Sequence, residues 1–437
     1  MTTVAGRASR WQRAGPQRDG RTDLLTAKWT GPLLTGVRIS LVIAACLVGV
    51  TLLGPLPALA QQQTDADAAQ EVDQWSVARD LVIGEPPDWL TTVSDLLVAA
   101  DGSMYVVQQE ERLVRKFASD GELTLSIGRR GRGPGEFLDP RTVGWLADTL
   151  MVADWRLRRI SAFSPSGDVH YTITTGVRAS VRHLPLAVLT NGRILAEQSW
   201  NNQEVVEGRE TVRHLLLLDR EGATVAPFAD LAFGIFQAMV EIVVPSGPTL
   251  TFTKHPFSNS DLWDVDPEGS GVVVVTQADL DPDNPQFSVT RLAPSGREEW
   301  NRSFRYTPQP VTDAMARDTI AAVTEMFVSY PFFGEQVPHG QIERAVRKAI
   351  RMPSVLAPVS AVVAGRDGTT WIRREAVGEQ HPAWMVLDEQ GVWIAQLRMP
   401  AGLRVHQADR HHVWGVELDE LDAPRVVRYR VRSAGER

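Results

Sequence analysis

The sequence predicts an all-β chain of repeated four-stranded antiparallel units that close into a ring. Three observations lead there. Two kinds of turn alternate along the chain, short apolar strands lie between them, and the last unit lacks one strand that an early segment can supply. The first kind of turn separates two apolar strands at Ala100-Asp101-Gly102, Ala147-Asp148, Thr190-Asn191-Gly192, Pro267-Glu268-Gly269, Arg366-Asp367-Gly368 and Ala408-Asp409. The second follows a further strand at Asp120-Gly121, Ser166-Gly167, Glu221-Gly222, Ser295-Gly296 and Gln390-Gly391. Acidic or Asn residues ahead of Gly suit hairpins, because Gly adopts the positive φ of tight turns at little cost. This grammar, repeated at six places, separates a six-bladed β-propeller from a sandwich or a pair of barrels, which strand spacing alone does not do.

Between the turns the strands follow in order. Unit one reads Asp95–Ala99, Met104–Val107, Leu113–Phe117 and Leu123–Ile127, and unit two Thr142–Leu146, Thr149–Ala153, Arg159–Phe163 and Asp168–Ile173. Unit three reads Leu186–Leu189, Ile194–Glu197, Leu215–Leu218 and Thr224–Phe228. Unit four reads Leu262–Val265, Gly271–Thr276, Ser288–Leu292 and Glu298–Phe304, and unit five Ala361–Ala364, Thr370–Arg373, Ala383–Leu387 and Val392–Leu397. The sixth offers three strands, Leu403–Gln407, His412–Glu417 and Arg425–Val431. Gln74–Val82, with alternating Trp75, Val77 and Leu81, is the spare strand that would complete it and hide the seam.

Unit two carries a longer pattern: Gly128-Arg-Arg-Gly131-Arg-Gly133-Pro134-Gly135-Glu136-Phe137-Leu-Asp-Pro140, then Leu150-Met-Val-Ala-Asp154, then Arg159-Ile160-Ser-Ala-Phe163-Ser-Pro-Ser-Gly167. This order resembles the blade linker and following strands of NHL-type propellers, and the chain resembles divergent six-bladed members from environmental bacteria over residues 74 to 432. The stretch from Val413 to Tyr429 also resembles their last blade. Unit one departs from the pattern, with Val107-Gln108 in place of Ala-Asp. The resemblance implies a fold and not a reaction: such propellers include amidating lyases, lactonases and binding platforms.

Two intervals are longer than a blade linker. Ala229–Ser260 contains the apolar stretch from Leu231 to Met239. Pro308–Pro358 is helical, with Thr312 or Asp313 as cap, an apolar stripe through Ile320, Val323 and Phe327, a break at Tyr330–Gly334, and a second helix over Gln341–Arg351. That helix sets Ile342, Ala345, Val346 and Ala349 against Arg344, Arg347, Lys348 and Arg351. The expectation is a lid of two helices over one mouth of the ring.

Residues 1–60 read as a signal peptide. A basic flank precedes the apolar run Ile39–Leu59, which ends in Pro57-Ala58-Leu59-Ala60. An uncleaved anchor is the alternative, but Pro55, Pro57 and the small-residue site favour removal. Cys46, the single cysteine, sits in a lipoprotein-like Ile43-Ala44-Ala45-Cys46, yet the chain stays apolar after it. Residues 61–73 read as a disordered linker and 433–437 as a tail. The chain is expected in the periplasm or secreted, touching the membrane only through the signal segment before cleavage. Of 45 basic residues, 41 are Arg, a bias of GC-rich bacterial coding sequences. Removing seven basic and two acidic residues with the signal from a chain of formal charge −8 leaves about −13, which argues against a nucleic-acid partner.

No nucleophile elbow or zinc-protease motif is present, so a binding role for a protein or small-molecule partner is favoured over catalysis. The alternative is a metal-assisted lyase or hydrolase with its site in the central funnel. No cofactor is expected. Calcium or zinc lacks supporting spacing at His411-His412, and at the carboxylates of Glu417, Asp419, Glu420 and Asp422, which read as a solvated hairpin tip. Asp154 reads as a carboxylate that bonds nearby backbone amides. The Gly-rich loop reads as a linker with Phe137 wedged between sheets, although Arg129, Arg130 and Arg132 around bare amides invite an anion. Trp155, flanked by Arg156 and Arg158, completes the candidate binding surface as an aromatic at a loop surface. N-terminal sequencing of the exported protein is expected to begin near Gln61; an acylated Cys46 in the membrane fraction would establish lipoprotein processing instead.

Overall fold

The apolar residues of these strands fall on both faces of each sheet, so no blade can stand with one face in water. The computed structural model describes residues 64–65, 72–86, 88–175, 183–198, 211–235, 237–278, 281, 283–375 and 381–433, and within them the blades form as expected. With strands lettered a to d from the axis outward, blade 1 is Val93–Val98, Met104–Gln108, Leu113–Phe117 and Leu123–Ile127. Blade 2 is Pro140–Leu146, Thr149–Asp154, Arg159–Phe163 and Val169–Thr174, and blade 3 His183–Val188, Ile194–Gln198, Val212–Leu218 and Thr224–Ala232. Blade 4 is Leu262–Val265, Val272–Thr276, Gln286–Leu292 and Glu298–Arg305, and blade 5 Val359–Ala364, Thr370–Arg374, Ala383–Leu387 and Trp393–Arg398. All pairings within blades are antiparallel. The segments before residue 64, including the signal peptide and most of the linker, lie outside the described residues.

Blade 6 closes the ring. Its own strands Arg404–Ala408, His412–Leu418 and Pro424–Arg432 are joined by Ser76–Ile83 as strand d, with Ser76 opposite Arg432 and Ile83 opposite Val426. Charge reinforces the seam: Arg79 meets Glu417 at 3.1 Å, and the Arg428 guanidinium meets Asp80 at 3.0 Å. The same early segment covers another edge, since Asp73–Gln74 runs parallel to blade 5's outer strand.

Six apolar clusters sit between neighbouring blades. Along strand b of blade 1, Met104 and Val106 pack towards Trp414, Val416 and Val426 of blade 6, while Tyr105 and Val107 pack towards Leu150, Val152 and Phe163 of blade 2. Such alternation splits every inner strand between two interfaces. Phe137 is fully buried in the cluster between blades 1 and 2, the wedge expected of it.

The insertions differ from the expectation. Their helices do not turn their stripes to the blade ends; they cover a β-hairpin made by the other insertion. The hairpin strands Gln237–Val244 and Gly247–Lys254 bury Ala238, Val240, Ile242 and Val244 against three helices: α1 (Asp313–Ser329), α2 (Pro331–Gly334) and α3 (His339–Ala349). Thr312 caps α1 by accepting from Met315 N–H at 3.2 Å. Ile320, Val323, Phe327, Ile342 and Val346 are the apolar stripe, and each long helix needs the other insertion to bury it. The pair of insertions is thus one small two-layer unit.

Ring closure gives a direct test. Ile83 is 4% exposed at the seam between blades 6 and 1, so Ile83→Ala is expected to cost about 2–5 kcal/mol. Removing Gln74 to Gly84 is expected to abolish the cooperative melt of the whole ring, and an unchanged melting curve would reject the closure.

Candidate functional site

Antiparallel pairing fixes which connections share an end of the ring. Strand a begins, b ends, c begins and d ends at the same end, so every b–c and d–a connection emerges there. At the other end no a–b or c–d connection exceeds 266–271 in length. The first end carries the Gly-rich linker 128–139, the segment 155–158, and both insertions, 233–261 and 306–358. All six candidate surface residues therefore lie at the elaborated end.

The Gly-rich linker is already occupied by its own side chain. Glu136 accepts from Gly133 N–H at 2.7 Å and pairs with the Arg129 guanidinium at 2.9 Å. The Gly133 amide, then Arg129, hold the Glu136 carboxyl below its ordinary range. A Cβ at Gly131 would meet that carboxylate, so a larger residue there would push Glu136 off the loop. Arg159 grips the same loop from strand c, donating to the carbonyls of Arg132 at 2.9 Å, Gly133 at 2.6 Å, and Glu136. The cradle that the glycines suggested for an external anion holds an internal one. Arg130 and Arg132 remain exposed on its rim.

Trp155 is not the exposed aromatic expected. Its ring is half-buried against the cluster between blades 3 and 4, its indole N–H donates to Pro185 O at 3.1 Å, and Arg141 lies over it at 5.3 Å. It fastens blade 2 to blade 3. Arg158 is half-buried, with φ of 50°, and its carbonyl accepts from Thr175 N–H at 2.8 Å. Arg156 is exposed. The free part of the predicted surface is thus Arg130, Arg132 and Arg156.

Asp154 does what local chemistry suggested. Fully buried, it accepts from Leu138 N–H at 2.7 Å, Asp139 N–H at 3.1 Å and Leu157 N–H at 2.7 Å, pinning the incoming linker to the end of strand b. Gln108 holds the same place in blade 1, accepting from Thr91 N–H at 2.7 Å, whereas Gln277, one residue past strand b of blade 4, reaches the start of blade 5 and accepts from Val359 N–H at 3.1 Å. The Ala-Asp of the motif and the Val-Gln that departs from it perform one task.

Around the axis, residues of the inner strands bridge blades. Asp95 accepts from Val143 N–H at 3.0 Å, Asp264 from Ala364 N–H at 2.8 Å and Gln407 from Val98 N–H at 2.9 Å, while Thr142 donates to Leu186 O at 2.6 Å. They line a cavity of about 150 Å³ on the axis, together with His406, whose Nδ1 lies 3.3 Å from Asp95. The turn of blade 4 narrows the plain end, where Trp145 N–H bonds Pro267 O at 3.0 Å. Sequence reading missed this ring because its members, such as Asp95 and His406, are 311 positions apart and share no motif. Among the described residues no three of His, Cys, Asp and Glu form a metal-ligating group. His411 is exposed in a turn, Glu417 accepts from Tyr429 O–H at 2.6 Å, and Asp419 folds its own turn through Leu421 and Ala423 N–H.

No protein-family model and no curated protein matches the sequence. Among solved structures, the chain is similar to a member of the DUF4221 family from Bacteroides vulgatus, at 10% identity and TM-score 0.43, over 83% of this chain and 99% of that one. It is similar to virginiamycin B lyase from Staphylococcus aureus at 10% identity and TM-score 0.40, over 82% and 99%. It is also similar to the PQQ-bound aldose sugar dehydrogenase from Streptomyces coelicolor at 11% identity and TM-score 0.37, over 82% and 99%. Likeness of this degree assigns no reaction, and the six blades rest on the chain's own sheets. Among the described residues no helix is long and apolar enough to cross a membrane.

The axial carboxylate makes a measurable prediction. Burial pushes the Asp264 carboxyl up to about 7 from 3.8, with Ala364 N–H opposing the rise and the Asp95 charge adding to it. Between these values the folded chain keeps a proton that the unfolded chain releases, so stability falls as pH rises from about 4 to 7 and then levels. Asp264→Asn keeps an acceptor for Ala364 N–H and is expected to flatten that slope. A Tm–pH curve unchanged from the parent would show that the proton sits elsewhere.

Proposed function

We propose that this chain is an exported, NHL-type protein-binding propeller of the cell envelope, presenting its elaborated end to a partner. The observation that carries this reading is the unequal length of the connections at the two ends. Loops and insertions on a rigid ring are where recognition is built, and here they gather at one end above a frame of short turns. Arg130, Arg132 and Arg156 give that end exposed guanidinium groups, suited to bidentate contacts with carboxylates. The axial cavity, at about 150 Å³, falls short of the ~300 Å³ at which small-molecule pockets begin. Its carboxylates also bond backbone amides of neighbouring blades. Both facts favour a surface partner over a substrate in the funnel. Export rests on the basic and apolar pattern of residues 1–60, and the NHL-type assignment on the linker and strands from Gly128 to Gly167.

The test reverses charge at each end in turn. Immobilised protein is incubated with the periplasmic fraction of its source, and retained species are compared by mass spectrometry. The triple variant Arg130→Glu, Arg132→Glu, Arg156→Glu is expected to lose the partner, while Arg220→Glu with Arg297→Glu, in turns of the plain end, keeps it. Equal retention by both variants would refute the assignment of the face.

A further inference from the structure

The hairpin Gln237–Val244 and Gly247–Lys254 has one covered face and one bare one. Val244 and Gly247 close a two-residue turn, so theirs is a hydrogen-bonded pair, and bonded and non-bonded pairs alternate from there. Val243 and Pro248, Glu241 and Leu250, and Met239 and Phe252 are then non-bonded pairs, whose backbone groups point away from the hairpin. Two facts agree with this assignment. Pro248, which has no N–H, sits where none is needed, and the Gln341 amide reaches the outward Val243 carbonyl at 3.2 Å. That bond ties α3 to the first strand. On the second strand the N–H and C=O of Leu250 and Phe252 face outward, and among the described residues the sheet ends there with two strands.

The side chains tell the same story. Ala238, Val240, Ile242 and Val244 face the helices, so Thr249, Thr251 and Thr253 share that side. Met239, Val243, Pro248, Leu250 and Phe252 are on the other, around the charged Glu241 opposite Leu250, with Leu250 50% and Val243 51% exposed. An unpaired edge beside an apolar face is a template for another strand.

The sequence of this edge selects which strand. Thr249-Leu250-Thr251-Phe252-Thr253 is polar and apolar in mirror order about Thr251. We infer that the edge pairs with the same edge of a second copy, antiparallel about a two-fold axis at Thr251. Leu250 then meets Phe252 of the second copy, and Phe252 its Leu250, as hydrogen-bonded pairs that engage the outward N–H groups of these two residues in both copies. Leu–Phe pairs lie on the apolar face and Thr–Thr pairs on the helix side, both favourable across strands. The two hairpins become one four-stranded sheet backed by helices on one side, and the two-fold pairing uses up the Leu250–Phe252 edge of both copies. Pro248, with no N–H to give, bounds the window on one side.

Sedimentation equilibrium of the purified chain is expected to show a concentration-dependent dimer. Leu250→Pro removes one outward N–H at a position that makes no bond within the hairpin, so it is expected to abolish the dimer with little change in Tm. In a Cys46→Ala background, Thr251→Cys places two thiols across the axis at the close spacing of a non-bonded pair, within disulfide reach. Mild oxidation is expected to give a covalent dimer, whereas Thr249→Cys, facing Thr253 of the second copy, gives none. A parent that stays monomeric at every concentration, or equal cross-linking by the two cysteine variants, would overturn the inference. The cysteine comparison holds even where Leu250→Pro fails to fold.

Discussion

Each blade of this protein is apolar on both faces, and that single constraint orders the rest. A blade can bury two faces only between two others, so the sheets must go round until the last meets the first. Strand b shows the rule most plainly. In blade 4, Val273 and Val275 turn to blade 5, while Val272 and Val274 turn to blade 3, so a run of four valines serves two interfaces at once. Removing one blade would expose two faces, which explains why a strand from far upstream is drawn in to finish the sixth.

Packing alone leaves the inner strands with backbone N–H groups at the blade junctions, and buried donors without partners are costly. Asp95, Asp264 and Gln407 answer them from the next blade along, and Asp154, Gln108 and Gln277 do so where linkers enter. These polar residues are structural for a physical reason: their oxygens accept from amides that have no strand opposite. The same economy appears in the Gly-rich linker, where Glu136 and Arg159 satisfy amides and carbonyls that a ligand would otherwise have met.

Much of the ring was legible in the sequence because its turns are local chemistry. Gly121 and Gly167, at φ of 94° and 88°, mark c–d turns that almost no other residue could make, and the strands follow between them. The closing strand was legible too, as a missing partner for a visible alternation. The hairpin was not: the apolar stretch from Leu231 to Met239 spans the end of one strand and the start of another, so its alternation begins only at Ala238. The helices were readable in period and in which residues form the stripe, but a stripe does not say what covers it. Trp155 shows the converse limit. A tryptophan between arginines looks like a contact surface in one dimension, while in three its indole finds a carbonyl of the next blade. Of the surface the sequence suggested, Arg130, Arg132 and Arg156 are exposed at the end that carries the insertions, and the axial residues, whose nearness depends on closure, were missed.

Closure also sets a schedule for folding. Ser76 is opposite Arg432, so a strand made before blade 1 is paired with one made after blades 1 to 5. Blades 1 to 5 can each pair their own four strands as they emerge, but the two open faces at the ends of the arc stay wet until the whole chain is present. Through that interval Leu96, Val98 and Val106 on one side, and the facing residues of blade 6 on the other, are apolar surface in search of cover. Contacts this distant in sequence form late and slowly. Until the seam is made, the incomplete arc has to be kept from its neighbours.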